Sequence, residues 1–586
     1  MRKYGRLFIL IILVSMVTID SFGQSNDKIW FDGLARSYYA RDAIGENEQV
    51  EDTLSAKNVS NGYNLLDLNT HVNPIDDIEI FAQLRIQNTF GGFFGSGTSV
   101  NVRQLRVKGV INKSIRFGLG DLFLKQSRYT LYNDDEELSS FENDMFKPYR
   151  DIIHYENFYI DNRWRLQGLQ SNFSFEFDRG IRTLEFDFFV TRPRGSNAIS
   201  TTSYSSDQLL SGGTMMSKLT KNLSFESHYI NLFEVASSGT SNISVRNPVY
   251  LMGLAQHFNN KKHHFKSKIQ TGFSQRYWLH SELENNAEDS TSNSSEGLFF
   301  EFQNTYLKED SSIQLVFNYR YVDPNFRSAG AQTRRLDFGK GLPNTIYPTY
   351  TNSLIQRPTS VFDLVSDDRL YNQQISSNLM VFNPIYSNAL PYGDATPNRS
   401  GVDLNARIDS GKKLLHSKLK AGFYREVIGQ GTPNKRNFAL FKTAIKFNMN
   451  ECFHWDKELS LSGSYEAEST NRDGDSVSQV GLFSQQVNIA INAEVFPKFF
   501  VQLAYKQFNA NGNEFLTQRD NYGNINNFVN THYKQKDHLL SAGLMYKLRD
   551  DVYANIQFNS WGTSFNDQPD LNFNYKRLLF VLSVTL

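Results

Sequence analysis

The chain has 586 residues, and its 61 basic side chains balance 61 acidic ones, so the formal net charge is zero. This balance argues against a nucleic-acid partner, which would require a basic surface. The mean hydropathy is −0.46, and no run of about 20 apolar residues follows the first segment, which excludes a bundle of membrane-spanning helices.

The first residues have the pattern of a secretory signal peptide. Two basic residues precede an apolar run from Leu7 to Val17, and small residues follow between Ser21 and Gly23. This order predicts a signal peptide over residues 1–23 and a single mature domain over 24–586. An uncleaved membrane anchor is the alternative.

Beyond this segment, apolar and polar side chains alternate with the period of two that β-strands show. In residues 78–87, isoleucine, alanine and leucine fill the even positions, whereas charged and amide side chains fill most odd ones. The same alternation recurs at 184–191, 487–493, 540–547 and 552–559. Because charges fall on one face only, each strand is expected to have an apolar and a polar side.

The predicted connections alternate in length along the chain. Tight turns are expected near 73–76, 112–114, 178–180, 220–222, 259–262, 308–311, 409–413, 497–498 and 549–551. Longer loops are expected near 42–61, 88–100, 125–163, 193–212, 235–247, 279–296, 323–400, 511–534 and 561–572. This alternation is typical of barrels in the outer membrane, where turns face the periplasm and loops face outward. The sequence therefore predicts an all-β fold, a transmembrane antiparallel β-barrel of about 22 strands within a range of about 18 to 26.

The segment from Arg577 to Leu586 is expected to close this barrel. It alternates strongly and is apolar on one whole face. A soluble protein avoids so apolar a strand edge because it aggregates, whereas a membrane barrel pairs it with the first strand. The first strand is expected to begin by Ile29, which leaves no room for an N-terminal plug domain.

In a barrel this wide, either loops fold into the lumen, a partner fills it, or the pore is open. The two longest loops are the candidates for the first possibility. Residues 125–163 contain an acidic run, Asp134 to Glu137, among many aromatic side chains, and residues 323–400 hold half of the 14 prolines. Loops of this length are usually functional or disordered. We expect them to fold inward, and a folded extracellular cap without a ligand is the alternative.

Ten charged residues are expected to line the lumen because they lie on the polar faces of predicted strands. They are Arg85, Arg106, Lys108, Glu185, Asp187, Lys418, Lys420, Lys442, Lys446 and Lys506. Mixed charges of this kind either set the solute preference of a pore or simply form the wet side of its wall.

No motif indicates catalysis. Cys452, the only cysteine, stands near His454 but without the second pair of ligands that a zinc site needs. Residues 471–475 begin like a calcium loop, yet Leu482 occupies the position of its final glutamate. We therefore predict no enzyme, no cofactor and no metal site.

The predicted signal peptide, the strands rich in Phe, Tyr and Asn, the missing plug and the closing strand together resemble outer-membrane β-barrel proteins of the Bacteroidota, a Gram-negative phylum. The resemblance covers the mature chain and is porin-like, but it matches no named family of known substrate. It implies short O-glycan sites of the Asp-Ser/Thr type, with Thr53, Ser290 and Ser476 as candidates in predicted loops.

Two hypotheses for function follow. The first is a porin-like channel that passes small solutes across the cell outer membrane. The second is a structural or accessory component of an outer-membrane secretion or barrel-assembly complex. Outer-membrane lipids are expected partners in both, and other outer-membrane or periplasmic proteins are expected partners in the second.

Overall fold

The computed structural model describes most of the chain. The described residues are 28–44, 58–90, 97–134, 141, 143–195, 197–198, 204–205, 207–235, 243–260, 262–281, 290–333, 375, 379, 382–410, 414–476, 478–519, 525–549, 551–567, 569 and 572–586. The predicted signal peptide, Thr53 and the middle of 323–400 lie outside them. Within these ranges, no helix combines the length and apolarity needed to cross a bilayer.

The described elements are mostly strands. Their bounds are β1 Ile29–Ile44, β2 Asn58–Ile75, β3 Ile78–Thr89, β4 Thr98–Ile111, β5 Ile115–Leu124, β6 Trp164–Glu176, β7 Thr183–Arg194, β8 Asn197–Ala198, β9 Tyr204–Ser205, β10 Asp207–Lys218, β11 Leu223–Val235, β12 Ile243–Asn260, β13 His263–Ser281, β14 Ser290–Lys308, β15 Ile313–Val322, β16 Pro391–Asp394, β17 Arg399–Asp409, β18 Leu415–Arg425, β19 Asn437–Asn448, β20 Leu459–Arg472, β21 Val480–Phe496, β22 Phe499–Arg519, β23 Ile525–Arg549, β24 Val552–Phe565 and β25 Phe573–Thr585. The helices are α1 Lys147–Glu156 and α2 Met449–Phe453, and a 3-10 turn spans Asp144–Phe146.

All strands except β8, β9 and β16 join one 22-stranded antiparallel sheet that closes on itself. Each wall strand pairs with the next wall strand along the chain, and β25 pairs with both β24 and β1. At this seam Asp42 lies opposite Arg577. Their side chains are buried and form a two-pronged ion pair, with Nε–Oδ1 at 2.7 Å and Nη2–Oδ2 at 2.9 Å. The predicted barrel of about 22 strands is confirmed.

Alternate wall positions differ sharply in polarity. One face exposes large apolar side chains, such as Met252 at 60% and Ile489 at 54%, whereas Asn488 and Gln557 on the other face are buried. A surface of exposed apolar side chains this extensive is stable in lipid and not in water. Because the closed sheet pairs its backbone groups between strands, such a wall can span a membrane. The chain is therefore an outer-membrane β-barrel.

The two ends of the barrel differ, as predicted. One end, here called the turn end, carries the tight connections, and all nine predicted turns lie there. Asn112 and Lys113 are the central residues of a tight turn and have φ of 51° and 57°, the left-handed geometry that matches the twist of a hairpin. The prediction missed a tenth turn-end connection, between β19 and β20, where α2 contains Cys452.

The other end, here called the loop end, has fewer loop residues than predicted. The long loop expected at 511–534 is wrong, because β22 runs to Arg519 and β23 resumes at Ile525. Ser290 likewise begins β14 instead of lying in a loop. Strands of up to 25 residues exceed the roughly 10 needed to cross a bilayer, so they project beyond it. Polar residues occur on both faces of these projecting parts, which in sequence resembles a loop.

Candidate functional site

Residues 125–163, which connect β5 to β6, contact polar wall faces far apart around the barrel. Their contacts include Tyr129 Oη to Glu301 of β14 (3.1 Å), Gln557 of β24 to the Met145 carbonyl (2.8 Å) and Glu156 to Arg36 of β1 (2.8 Å). All of these contacts are with the polar faces of the wall strands, which are turned away from the exposed apolar faces. The polar faces therefore surround the lumen.

Local sequence explains why this segment contains a helix. Asn143 Oδ1 accepts a hydrogen bond from the backbone N–H of Met145 at 2.9 Å, which starts the 3-10 turn. A proline follows in the first turn of α1, where its missing N–H has no cost. Ile152 and Ile153 are buried, and Asn157 Nδ2 donates to the Ile153 carbonyl at the helix end (2.9 Å).

The C-terminal end of α1 is held by a group of charged wall residues that we call the helix clamp. It comprises Arg36, Asp67, Arg85 and Arg103 of the wall with Tyr155 and Glu156 of α1. Glu156 pairs with Arg36 at 2.8 Å and with Arg85 at 2.5 Å. The carboxylate of Asp67, which is fully buried, binds Arg85 through two bonds of 2.7 Å and Arg103 at 3.0 Å.

Tyr155 completes the clamp as a hydrogen-bond donor. Its hydroxyl donates to Asp67 Oδ2 at 2.5 Å, and its ring lies under the guanidinium groups of Arg36 and Arg103 at 5.1 and 4.9 Å. Burial, together with this hydrogen bond to Asp67, raises the pKa of the Tyr155 phenol. The phenol therefore stays protonated at neutral pH and keeps donating to the carboxylate.

The other end of this segment is fixed across the lumen. Asp144 pairs with Lys446 of β19, and the ammonium of Lys506 on β22 lies 6.0 Å from the ring centre of Phe146. Burial raises the pKa of the Asp144 carboxyl, but attraction to Lys446 outweighs it and leaves the pKa below its usual value. The stretch from Asp144 to Glu156 is thus tied at both ends to opposite parts of the wall.

The described parts of 323–400 pack against 125–163. Trp164 Nε1, at the start of β6, donates to the Gly330 carbonyl at 2.8 Å. Tyr129 stacks on Phe299 with ring centres 4.0 Å apart, and Phe326 meets Phe299 edge-on at 5.2 Å. These rings belong to a buried apolar cluster that joins both loops to the wall, which stabilises them in one arrangement.

Charged groups from both loops and three wall elements meet in what we call the loop junction. Its members are Arg128, Glu301, Arg320, Asp394 and Asp403. Asp394 pairs with both arginines, while Arg128 reaches Glu301 at 3.0 Å and Arg320 reaches Asp403 at 2.7 Å. Although burial opposes it, the two guanidinium groups hold the pKa of Asp394 well below its usual range, so the junction remains charged at neutral pH.

Residues 385–399 cover another part of the wall. Ile385 packs with Leu482 and Phe508 in a small apolar cluster. The side-chain amide of Asn388 donates to Thr470 Oγ1 at 2.7 Å and to Glu514 Oε2 at 2.9 Å. Both loops are therefore anchored by buried polar groups, whose removal is more costly than that of exposed ones.

Among the cavities between the described parts of these segments and the wall, three are large and contain charged side chains. The first, about 740 Å³, lies beside α1 and is lined by Arg106, Lys108 and His154. The second, about 620 Å³, shares Arg106 and Lys108 with the first and reaches Asp76 at the turn end. The third, about 420 Å³, lies between 125–163 and strands β15 to β19. Cavities of this size suit small molecules.

The ten residues predicted to line the lumen all lie on polar wall positions, but their surroundings differ. Arg85 belongs to the helix clamp, and Lys446 and Lys506 contact the segment around α1. The remaining seven divide into those that line the first two cavities (Arg106, Lys108), those that line the third (Lys418, Lys420, Lys442) and those nearer the turn end on β7 (Glu185, Asp187).

Sequence reasoning missed most of the residues that fix the loops. Asp67 and Asp403 were detectable, since each lies between apolar neighbours in a strand. Arg128, Glu156 and Asp394 carry no such signal, because a charged residue in a polar loop is ordinary.

The remaining candidates are plainly placed. Ser476 is exposed in the connection between β20 and β21. Within the described ranges, no three His, Cys, Asp or Glu side chains are grouped closely enough to hold a metal. His454 ends α2 with φ of 55°.

No protein-family model matches the sequence, and no curated protein sequence is significantly similar to it. Among solved structures, Pseudomonas aeruginosa OpdQ aligns over 96% of this chain and 99% of its own, at 11% identity and a TM-score of 0.35. The P pilus usher PapC translocation pore aligns over 94% and 100%, at 7% identity and 0.34. Pseudomonas aeruginosa OccK8 (OprE) aligns over 95% and 98%, at 10% identity and 0.35. Similarities this low carry no argument about function.

Proposed function

We propose that the protein is an outer-membrane channel that passes small solutes through a lumen narrowed by residues 125–134 and 143–163 and by the described parts of 323–400, chiefly 324–333 and 382–399. The observation that carries the proposal is the combination of anchored lumenal segments with charged cavities beside them. A wall that served only as a structural support would gain stability from apolar packing throughout, since buried charges are costly to desolvate.

The cavities support a path along the wall. The first cavity lies beside α1 and shares Arg106 and Lys108 with the second, which reaches Asp76 at the turn end. In the usual orientation of such barrels the turn end faces the periplasm. A solute entering at the loop end would then pass α1 and leave between the turns, and along this path it would contact side chains of the polar wall.

Conductance of the purified protein in planar lipid bilayers tests the proposal. Wild-type protein should give small, discrete current steps in KCl. Replacement of residues 143–157 by a Gly-Ser linker of equal length should raise the step size several-fold, because the linker lacks α1 and its ties to both sides of the lumen. Replacing residues 449–454 on the turn end in the same way is the matched control, since none of these residues is buried.

Absence of current from both wild-type and linker proteins, when both are folded by heat-modifiability on gels, would refute the channel. That result would favour the structural-component hypothesis. Equal conductance in the wild-type and linker proteins would show that α1 does not narrow the path.

A further inference from the structure

Four basic residues on the lumenal faces of β17, β18 and β19 form a patch that we call the basic stripe. They are Arg407, Lys418, Lys420 and Lys442, and all four line the third cavity. The strand register sets Arg407 directly opposite Lys418 and Lys420 directly opposite Lys442. Directly opposed side chains in an antiparallel sheet lie close together, so each pair places two positive charges side by side, which is destabilising.

Nearby carboxylates are largely committed elsewhere. Asp134, Asp394 and Asp403 line the same cavity, and of these Asp394 and Asp403 pair with Arg128 and Arg320 of the loop junction. At the margin, Asp409 contacts Arg407 at 2.6 Å and Glu466 contacts Lys442 at 3.3 Å.

Lys418 is the least directly paired of the four, since Asp409 and Asp144 attract it only at longer range. It forms no ion pair with a carboxylate anywhere in the part of the chain that the structure describes. It lies beside Arg407 and opens onto a space of about 420 Å³. A wall that only had to face water could carry amide or hydroxyl side chains here and would avoid the repulsion between like charges.

From this arrangement we infer that the third cavity is a binding site for small solutes carrying two or more carboxylate or phosphate groups. Two opposed cation pairs supply several donors to oxygen anions, and charge-assisted bonds of this kind are among the strongest in proteins. The inference names the solute class of the proposed channel and rests on that proposal for its role in transport. The binding site itself does not depend on conduction.

Isothermal titration of the detergent-solubilised full chain with citrate and with pyrophosphate tests the site directly. We expect saturable binding of at least one probe, and the two probes separate carboxylate from phosphate preference. Lys418→Gln should weaken binding by about tenfold, the loss of one charge-assisted contact. Lys266→Gln is the matched control, because Lys266 lies on the polar face of β13, outside the third cavity, and should leave affinity unchanged.

Lys418→Glu separates binding from folding. It turns the opposed pair with Arg407 from like to unlike charges, so the melting temperature should hold or rise while binding is lost. In bilayers the reversal potential under a KCl gradient should show anion preference in the wild type and a weaker preference in Lys418→Glu.

Wild-type protein that binds neither probe, or Lys418→Gln that binds as tightly as Lys266→Gln, would overturn the site. Binding without any bilayer current would retain the site and refute the channel. Current without anion preference or binding would retain the channel and refute the inference.

Discussion

Substitution Glu156→Gln should loosen α1 from the wall. The change removes the ion pairs of Glu156 with Arg36, Arg85 and Arg103 and leaves three guanidinium groups with one fewer carboxylate. Breaking a buried pair by removing one partner costs about 3–5 kcal/mol. Because a quarter of the Glu156 side chain is exposed (25%), we expect a value near the lower end, about 3 kcal/mol, which shifts the anchored-to-detached ratio of α1 by roughly a hundredfold.

Single-channel recording measures this shift. Wild-type current should be steady, since α1 is tied at both of its ends. In Glu156→Gln, detached states become populated, so the current should fluctuate between the wild-type level and a larger one. The melting temperature of the whole barrel should change little, because the wall does not depend on the clamp for closure.

Asp151→Asn provides a matched control on the same helix. It removes the same charge, but among the described residues Asp151 forms no direct ion pair with the wall, and Arg36 attracts it only at longer range. Steady current in Glu156→Gln, or equal noise in both variants, would refute the role of the clamp.

Other predictions concern the wall, the seam and acid. Ile489→Arg, on the outward face, should destabilise the barrel by about 2–4 kcal/mol if it lies near the bilayer midplane. Gln486→Arg, on the lumenal face of the same strand, should be tolerated. Equal losses of unfolding free energy in urea for the two variants would contradict a lipid-facing wall. Arg577→Leu should cost about 3–5 kcal/mol by leaving Asp42 buried without its partner, and the double variant with Asp42→Leu should recover much of the loss of melting temperature. Burial raises the pKa of the Asp144 carboxyl, but its lysine partner outweighs this and lowers the pKa below the usual range. The ion pair between Asp144 and Lys446 should therefore hold from pH 8 to about pH 5 and weaken below about pH 4, the unperturbed value, so that current noise rises in acid. Asp144→Asn should abolish this acid-dependent rise.

The wall could be predicted from sequence because lipid and water select opposite faces of the same strand. Ile78 to Gln87 and Val552 to Asn559 alternate so strictly that only one face can meet lipid, and the tight turns carry residues that accept left-handed backbone, such as Asn112. The projecting hairpin of β22 and β23 was missed because both of its faces meet water, which removes the alternation in polarity that marks a strand.

The lumenal site was predictable only on the wall side. Because side chains alternate between the two faces of a strand, the lumenal positions of Lys418, Lys420 and Lys442 follow from the sequence. The register of their strands depends on turn geometry, so the directly opposed pairs of cations were not predicted. The helix clamp was harder to predict from sequence, because Glu156 contacts Arg36 only after strands that are distant in the chain have closed the barrel. Contacts between loop residues and wall residues produce no periodic pattern in a sequence.

The contact between Met145 and Gln557 has a consequence for the order in which the molecule assembles. These residues are 412 positions apart, and contacts of such separation form late because the chain between them must first be arranged. Until β24 is in place, the interior segment lacks one of its far supports, and until Arg577 meets Asp42 the cylinder has two unpaired edges. Edge sealing and interior docking therefore belong to the last stage of folding. A variant that delays either step would spend longer as an open-edged intermediate, the species most prone to aggregation.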